Sequence, residues 1–164
     1  MKKTIMSAGV FLAIGLITCT NQNNANSQVS KVEATPKQIS DNMKSFISIF
    51  EIPSIEFSRA VTFYQSILDI KIEEIDMQGT QMGLFPSEGQ MVSGIIVKGE
   101  GYQPSSDGVV IYLNGGDNLQ VILDKVEANG GKIALPKTLI DEENGYFAMF
   151  IDTEGNKIGL HSPN

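Results

Sequence analysis

Glu51 and His161 are the two candidates for binding a divalent metal or transferring protons, because carboxylate and imidazole groups can do both. Glu51 lies within an apolar, β-prone stretch, where a carboxylate is costly unless it is paired or faces a solvated cavity. Two interpretations of Glu51 stay equally open, binding of a ligand and a structural bond within the sheet. His161 is the only histidine of the chain, and a lone histidine near a terminus more often serves packing than ligation.

Tyr112 and Asn114 form a second candidate pair. They alternate with Val110 along a predicted strand, so their side chains leave that strand on the same side. This spacing predicts that they line a pocket opposite Glu51. The sequence does not support nucleophilic catalysis or dinucleotide binding. It contains no serine nucleophile motif, and Gly115-Gly116 lacks the spaced glycines of a dinucleotide site.

The elements that must position these residues occur in the same order twice. In the first half, an apolar β-prone stretch ends at Pro53 and is followed by apolar residues at helical spacing. Three further apolar stretches are short and separated by turn residues. The first half is therefore predicted to contain a strand at 46–52, a helix bearing Phe57, Ala60, Val61, Tyr64, Ile67 and Leu68, and strands at 70–75, 81–85 and 92–97.

The second half begins with a predicted strand at 109–113. A helix follows, with Asp117 as its expected N-cap and Gly130-Gly131 at its end. Strands near 132–135, 146–152 and 157–161 complete this half. Each half reads strand, helix, strand, strand, strand, which predicts an α+β domain over residues 44–164 with modules at about 45–100 and 107–164. An unrelated α+β domain whose halves match by chance is the alternative.

The segment from Phe150 to Leu160 resembles the closing hairpin of the vicinal oxygen chelate superfamily, which includes glyoxalase I, bleomycin resistance proteins and extradiol dioxygenases. Further resemblances occur in both modules, at Phe50-Glu51-Ile52-Pro53, Arg59-Ala60, Phe63-Tyr64, Tyr112-Leu113-Asn114, Asp117 and Gly130-Gly131. The resemblance implies two βαβββ modules that form a curved, partly closed, eight-stranded mixed sheet around a cavity. It also implies a homodimer, since members frequently dimerise.

Metal-using members of the superfamily hold one divalent metal through His, Gln or Glu residues on the first and last strands of each module. By resemblance these positions fall near Ile49, near Val109, within 91–97 and at Gly159, and none of them offers such a ligand. The resemblance therefore implies no metal cofactor. Glu51 and His161 each lie two residues beyond a missing ligand, and they are the fallback ligands if one divalent metal is bound.

The first residues resemble a bacterial export signal. Lys2 and Lys3 precede an apolar run over 5–17 that is short for a membrane-spanning helix. Leu16-Ile17-Thr18-Cys19 resembles a lipobox, in which the cysteine is acylated and the preceding peptide is removed. We expect a lipoprotein signal peptide at 1–18, a lipidated Cys19 and flexible tether over 19–43, and an anchor to the bacterial outer membrane facing the periplasm. A plain secretory signal or an uncleaved anchor helix is the alternative.

The charge of the chain argues against nucleic acid as a partner. The net charge is −7, and an acidic surface repels polyanions. No basic, aromatic-studded patch counters this charge. The expected partners are a small-molecule ligand and, through the lipid anchor, a membrane.

Three functions fit these observations. The leading one is a metal-free module that binds a small, partly apolar molecule in its cavity, as the superfamily's antibiotic-binding resistance proteins do. The first alternative is a metal-dependent lyase, isomerase or dioxygenase with a reduced metal site built on Glu51 and His161. The second alternative is an interaction or scaffold protein whose cavity is filled by Phe50, Tyr112 and Phe150. Whether the protein is an enzyme stays open at this point.

Overall fold

A computed structural model describes residues 45–90 and 92–164, so the predicted signal peptide, Cys19 and the tether lie outside the described residues. The bounds of the elements are β1 Ile49–Pro53, α1 Phe57–Leu68, β2 Glu73–Met77, β3 Thr80–Leu84, β4 Ser93–Lys98, β5 Tyr112–Asn114, α2 Gln120–Val126, a 3-10 turn Glu127–Asn129, β6 Lys132–Asp141, β7 Gly145–Ile151 and β8 Lys157–Ser162. No helix within the described residues has the length and apolar character needed to cross a membrane.

Each module forms one four-stranded mixed sheet. The strand orders are β1-β4-β3-β2 in the first sheet and β5-β8-β7-β6 in the second. In both sheets the first and last strands of the module pair in parallel, and the other pairs are antiparallel. The structure therefore confirms the predicted α+β class and the repeated βαβββ order.

Several strands begin or end away from their predicted bounds. β1 begins at Ile49, although the apolar run starts at Phe46, and β5 begins at Tyr112, although its run starts at Val109. Phe46 and Val109 are 98% and 93% exposed. They lack the neighbouring chain that a strand needs, so apolar sequence alone does not extend the strand to them. β6 is longer than expected and pairs with β7 through several register shifts.

The two modules share one hydrophobic core. α1 buries an apolar face that includes Phe57, Ala60, Val61, Phe63, Tyr64 and Ile67. The ring of Phe63 lies 5.9 Å from that of Phe150 on β7, centroid to centroid, so the first helix packs on the second sheet as well as on its own. Burial of each such aromatic side chain contributes about 1.5–3 kcal/mol. Continuous packing across this core therefore holds the two modules together.

The turn between β7 and β8 forms a polar connection to the start of α1. The buried carboxylate of Glu154 accepts hydrogen bonds from the backbone N–H groups of Ile55 and Glu56 at 2.9 and 2.8 Å and from Arg59 Nε at 2.8 Å. Glu56, the N-cap residue of α1, provides no side-chain cap. The Glu154 carboxylate takes that place from the other module, where the positive end of the helix dipole also favours it.

Asp152 is the second polar connection between the modules. One carboxylate oxygen accepts from three backbone N–H groups of its own turn at 2.8–2.9 Å. The other oxygen accepts from the hydroxyl of Tyr64 on α1 at 2.7 Å and from the side-chain amide of Asn156 at 2.8 Å. Burial, and secondarily the charge and hydrogen bond of Asp152, raise the pKa of Tyr64 well above its usual value. The phenol therefore stays protonated as the donor.

Candidate ligand-binding site

A cleft of about 990 Å³ lies between the two modules. The first module contributes the start of β1, the end of α1 and the β3–β4 loop, and the second contributes the segment leading into β5, β5 itself and the start of α2. Elements from both modules thus form its walls. The size is at the upper end of the range found for pockets that hold drug-sized ligands, which is about 300–1,000 Å³.

The wall from the first module is aromatic and aliphatic. The ring of Phe50 lies over Gly94 on the adjacent strand, where an added Cβ would stand only 2.6 Å from Phe50 Cζ. Phe50 meets Phe85 edge to face, with ring centroids 6.0 Å apart. Leu68 and Ile70 continue this wall beyond the end of α1. Such a surface offers dispersion and hydrophobic contacts to a ligand and few hydrogen bonds.

The wall from the second module carries most of the polar groups. Its lining residues include Asn114, Asp117 and Asn118 as well as Val110, Ile111, Val121 and Ile122. The side-chain oxygen of Asn114 accepts from the N–H of Gly116 at 2.9 Å, and that of Asn118 accepts from the N–H of Gln120 at 3.1 Å and from Lys137 Nζ at 2.8 Å. The expectation that Asp117 caps α2 is wrong, because Leu119 is the N-cap residue and the helix begins at Gln120.

Tyr112 lines the cleft beside Gly159, its partner on β8. A Cβ added at Gly159 would stand 2.6 Å from Tyr112 Cε1, closer than side chains approach one another, so the ring lies directly over the glycine. The Tyr112 ring also lies 6.4 Å from that of Phe147, centroid to centroid. The position where the resemblance places a metal-ligating glutamate is therefore covered by an aromatic ring.

Glu51 does not line this cleft. It lies on the face of the first sheet away from α1, because it alternates with the buried Ile52, and it is exposed. Its carboxylate accepts a hydrogen bond from the hydroxyl of Tyr102 at 3.3 Å, and the Glu51 charge is the main cause that raises the pKa of Tyr102. This contact joins β1 to the segment after β4.

His161 is likewise exposed and outside the cleft lining. Its Nε2 lies 2.7 Å from the carbonyl oxygen of Asn144 in the β6–β7 turn. Because a carbonyl oxygen only accepts, Nε2 carries the hydrogen, and only Nδ1 of a neutral ring is left to act as a ligand or base. Asn114 is the partner of His161 on the adjacent strand β5. The structure thus brings His161 close to Asn114, while Glu51 lies in the other sheet.

The side chains present do not fit a three-ligand metal site. Within residues 45–90 and 92–164, no three His, Cys, Asp or Glu side chains are grouped closely enough to hold a metal ion. Of the four candidate residues, Tyr112 and Asn114 line the cleft, whereas Glu51 and His161 bond to other partners. Sequence patterns did not single out Phe85, Asp117 or Ile122 as lining residues, since these side chains converge only through the packing of two modules.

A sequence comparison decides the family. The sequence pattern described as the Glyoxalase/Bleomycin resistance protein/Dioxygenase superfamily matches residues 47–160. The chain belongs to this superfamily. The resemblance seen in its strands and turns is thereby confirmed at the level of the family. No curated protein matches the chain in sequence.

Several solved structures share the fold of this chain. TnmS3, an antibiotic binding protein from Streptomyces sp. CB03234, matches with a TM-score of 0.57 and 21% identity, over 73% of this chain and 97% of that one. The fosfomycin resistance protein FosX from Listeria monocytogenes matches with a TM-score of 0.55 and 19% identity, over 74% and 96%. A glyoxalase I mutant from Zea mays has a TM-score of 0.53 and 16% identity over 70% of this chain, which spans only 45% of that protein. At these identities the likeness concerns the fold alone.

Proposed function

We propose that this superfamily member is a lipid-anchored protein of the bacterial cell envelope that binds a small, largely apolar molecule in the cleft between its modules, without a metal. The observation that carries this proposal is the cleft itself, with its volume of about 990 Å³ and its Phe50 and Phe85 wall. Largely apolar clefts of this size with a few polar groups are the usual form of small-molecule sites. Phe50 and Tyr112 line the cleft without filling it, which counts against a scaffold role that needs a closed cavity.

Three features support binding without a metal. Tyr112 covers Gly159, so a ligand side chain at that position would have to displace the ring. The Glu51 carboxylate and the His161 imidazole lie in different sheets, where they bond to Tyr102 and to the Asn144 carbonyl. A divalent metal needs three or four converging donors, and a reduced site built on Glu51 and His161 would offer two.

Anchoring in the envelope rests on the sequence before the described residues. Lys2, Lys3 and the apolar run over 5–17 have the layout of an export signal, and Cys19 follows within a lipobox-like segment. Cys19 is the only cysteine of the chain, so the exported domain needs no disulfide and exposes no free thiol. Several acyl chains, at about 0.8 kcal/mol per buried methylene, would retain the protein on the outer membrane.

The protein also forms a homodimer in this proposal. The face of the first sheet away from α1, here called the outer face, carries Ile49, Ile75, Met77, Met82, Leu84 and Ile95. These side chains are partly or largely exposed, and Ile49 and Met77 are each 58% exposed. An exposed face with this many apolar side chains, which also carries the carboxylates of Glu51 and Glu73, marks an interaction surface, and a second copy covers it here.

Native mass spectrometry combined with elemental analysis tests the ligand and the metal together. The full-length protein is isolated from the membrane of its own cells and transferred into the gas phase with its non-covalent ligands. We expect a lipidated chain with an added mass of a small organic molecule and less than one-tenth equivalent of Zn, Ni, Fe or Mn. One equivalent of any of these metals would instead favour the reduced metal site.

Two pairs of variants locate the bound molecule. Val121→Trp places a large ring at the cleft from the exposed side of α2, so the added mass is expected to disappear. Ile140→Trp makes a similar change on an exposed part of β6 outside the lining and serves as its control. Glu51→Gln and His161→Ala should retain the molecule fully. Loss of the molecule in these two variants, with retention in Val121→Trp, would reject the cleft as the site.

A further inference from the structure

We infer that the ligand of the cleft is an organic cation with an apolar body, whose positive group is held by Asp117. This inference rests on the proposed function, because it assigns a chemical class to the ligand of the same cleft. The juxtaposition that carries it is a single available carboxylate next to an aromatic and aliphatic wall.

Among the polar side chains on the wall from the second module, the carboxylate of Asp117 is the hydrogen-bond acceptor that is still available. Asn114 and Asn118 each already accept hydrogen bonds through their side-chain oxygens. Asp117 lines the same end, yet in the described part of the chain its carboxylate enters no hydrogen bond or ion pair, and only its backbone carbonyl accepts, from the N–H of Asn164. Asp117 also does not cap α2. A group that donates to this end therefore meets Asp117 first.

An anionic ligand finds no matching charge. Among the described residues that line the cleft, Asp117 is the sole side chain charged at neutral pH. The nearest cation bound to a lining residue is Lys137, whose ammonium donates to Asn118 and lies 4.5 Å from the centre of the Tyr146 ring. Because its ammonium group is engaged in these two interactions, Lys137 does not serve as the partner of an anionic ligand. The chain as a whole carries a net charge of −7, which raises the local concentration of cations further.

The apolar wall determines the chemical character of the rest of the ligand. The aromatic residues Phe50, Phe85 and Tyr112 line the cleft, and Ile122 and Ile111 add aliphatic surface. Aromatic faces attract cations, and apolar surface rewards a ligand that buries hydrocarbon or aryl groups. A small hydrophilic cation would satisfy Asp117 but leave most of the cleft unfilled. The ligand class that fits both ends is an amphiphilic or aryl-substituted cation of drug size.

Two ions of nearly equal shape and opposite charge, together with a smaller neutral aryl compound, test this assignment. They are tetraphenylphosphonium, tetraphenylborate and the neutral triphenylphosphine oxide. Binding is measured by calorimetry at near-physiological salt, which screens long-range charge effects. The protein starts at residue 19 and carries Cys19→Ser, so that neither a lipid nor the apolar run over 5–17 requires a bilayer that would absorb the probes. We expect the phosphonium to bind at least fivefold tighter than the borate. Asp117→Asn should weaken phosphonium binding about fivefold, the scale of one exposed ion pair, and leave the phosphine oxide unchanged.

The control for charge is Glu73→Gln, which removes one exposed carboxylate from β2, outside the cleft lining. It should leave all three affinities unchanged. Phosphonium binding that is insensitive to Asp117→Asn, or equally sensitive to Glu73→Gln, would overturn the assignment to Asp117. If Val121→Trp still abolishes binding of these probes, the cleft remains a ligand site and only the charge assignment fails. Absence of binding by all three probes would overturn the inference, whereas the cleft proposal would fail only if native mass spectrometry also found no added mass that Val121→Trp removes.

Discussion

The ring of Tyr112 on β5 lies over Gly159, its register partner on β8. Position 159 is where the resemblance to metal-using members expects a glutamate ligand, and a carboxylate could project there only if the ring moved. The glycine provides the space for the ring, and the ring closes the position. One contact therefore accounts both for the missing ligand and for the position of Tyr112, one of the aromatic residues that line the cleft.

Gly159→Ala tests this contact directly. The added methyl would stand 2.6 Å from Tyr112 Cε1, so either the ring or the strand must shift. We expect a loss of about 1–2 kcal/mol in the free energy of unfolding, measured by urea denaturation, because this is the usual cost of overpacking a protein interior. In a Tyr112→Ala background the same change should cost less than half as much. Equal costs in the two backgrounds would show that the ring does not occupy the space over Gly159.

Glu154 should make stability depend on pH. Burial tends to raise its pKa, but hydrogen bonds from Arg59 and from the backbone of Glu56 and Ile55 outweigh burial and hold the pKa below the ordinary value of 4.5. A carboxylate with a lowered pKa in the folded state contributes stability above the pKa of the unfolded chain. That contribution is lost as the pH falls below about 4.5 and through the lowered folded value.

The Glu154→Gln variant isolates this contribution. At pH 7 it should lose about 2 kcal/mol of unfolding free energy, the scale of hydrogen bonds to a charged group. The difference from the unmodified protein should shrink between pH 5 and the lowest pH at which both still fold, as seen in urea midpoints. Glu142→Gln, on an exposed residue at the β6–β7 turn, should change neither value. A constant difference across this pH range would show that Glu154 is not the charged cap of α1.

The separation of two residues along the chain explains which features of the fold and the site the sequence could predict. Periodicity along the chain predicted both βαβββ modules, because strand and helix patterns depend on neighbouring residues. Within the turn Asp152–Asn156, the Asp152 carboxylate bonds to backbone N–H groups two and three residues away, which is local turn chemistry. The bonds of this turn to Tyr64 and to the start of α1 span 88 to 99 residues, which no local pattern encodes. The same holds for Asp117, whose place in the cleft depends on the packing of both modules.

Tyr64→Phe tests the second polar connection between the modules. The change removes the buried hydroxyl that donates to Asp152 Oδ2 at 2.7 Å and leaves the ring in place. Asp152 keeps its four other hydrogen bonds, so we expect a loss of about 1.5–2 kcal/mol in unfolding free energy rather than collapse of the fold. Tyr112→Phe, which removes a partly exposed hydroxyl, is the control and should be neutral. A neutral Tyr64→Phe would mean that water replaces the hydroxyl at Asp152.

Met77→Glu tests whether a second copy covers the outer face of the first sheet. Met77 is 58% exposed, so a glutamate there leaves the folded monomer intact, yet it would bury a further, unpaired carboxylate among the apolar side chains of the interface. In sedimentation velocity, protein that starts at residue 19 and carries Cys19→Ser should be a dimer, and Met77→Glu should raise the dissociation constant about a hundredfold or more. Ile55→Glu, at a 54% exposed position between β1 and α1, should leave the dimer unchanged. A dimer that tolerates Met77→Glu would use another surface, and a monomeric parent would remove the second copy from the proposal while leaving the cleft and its ligand untouched.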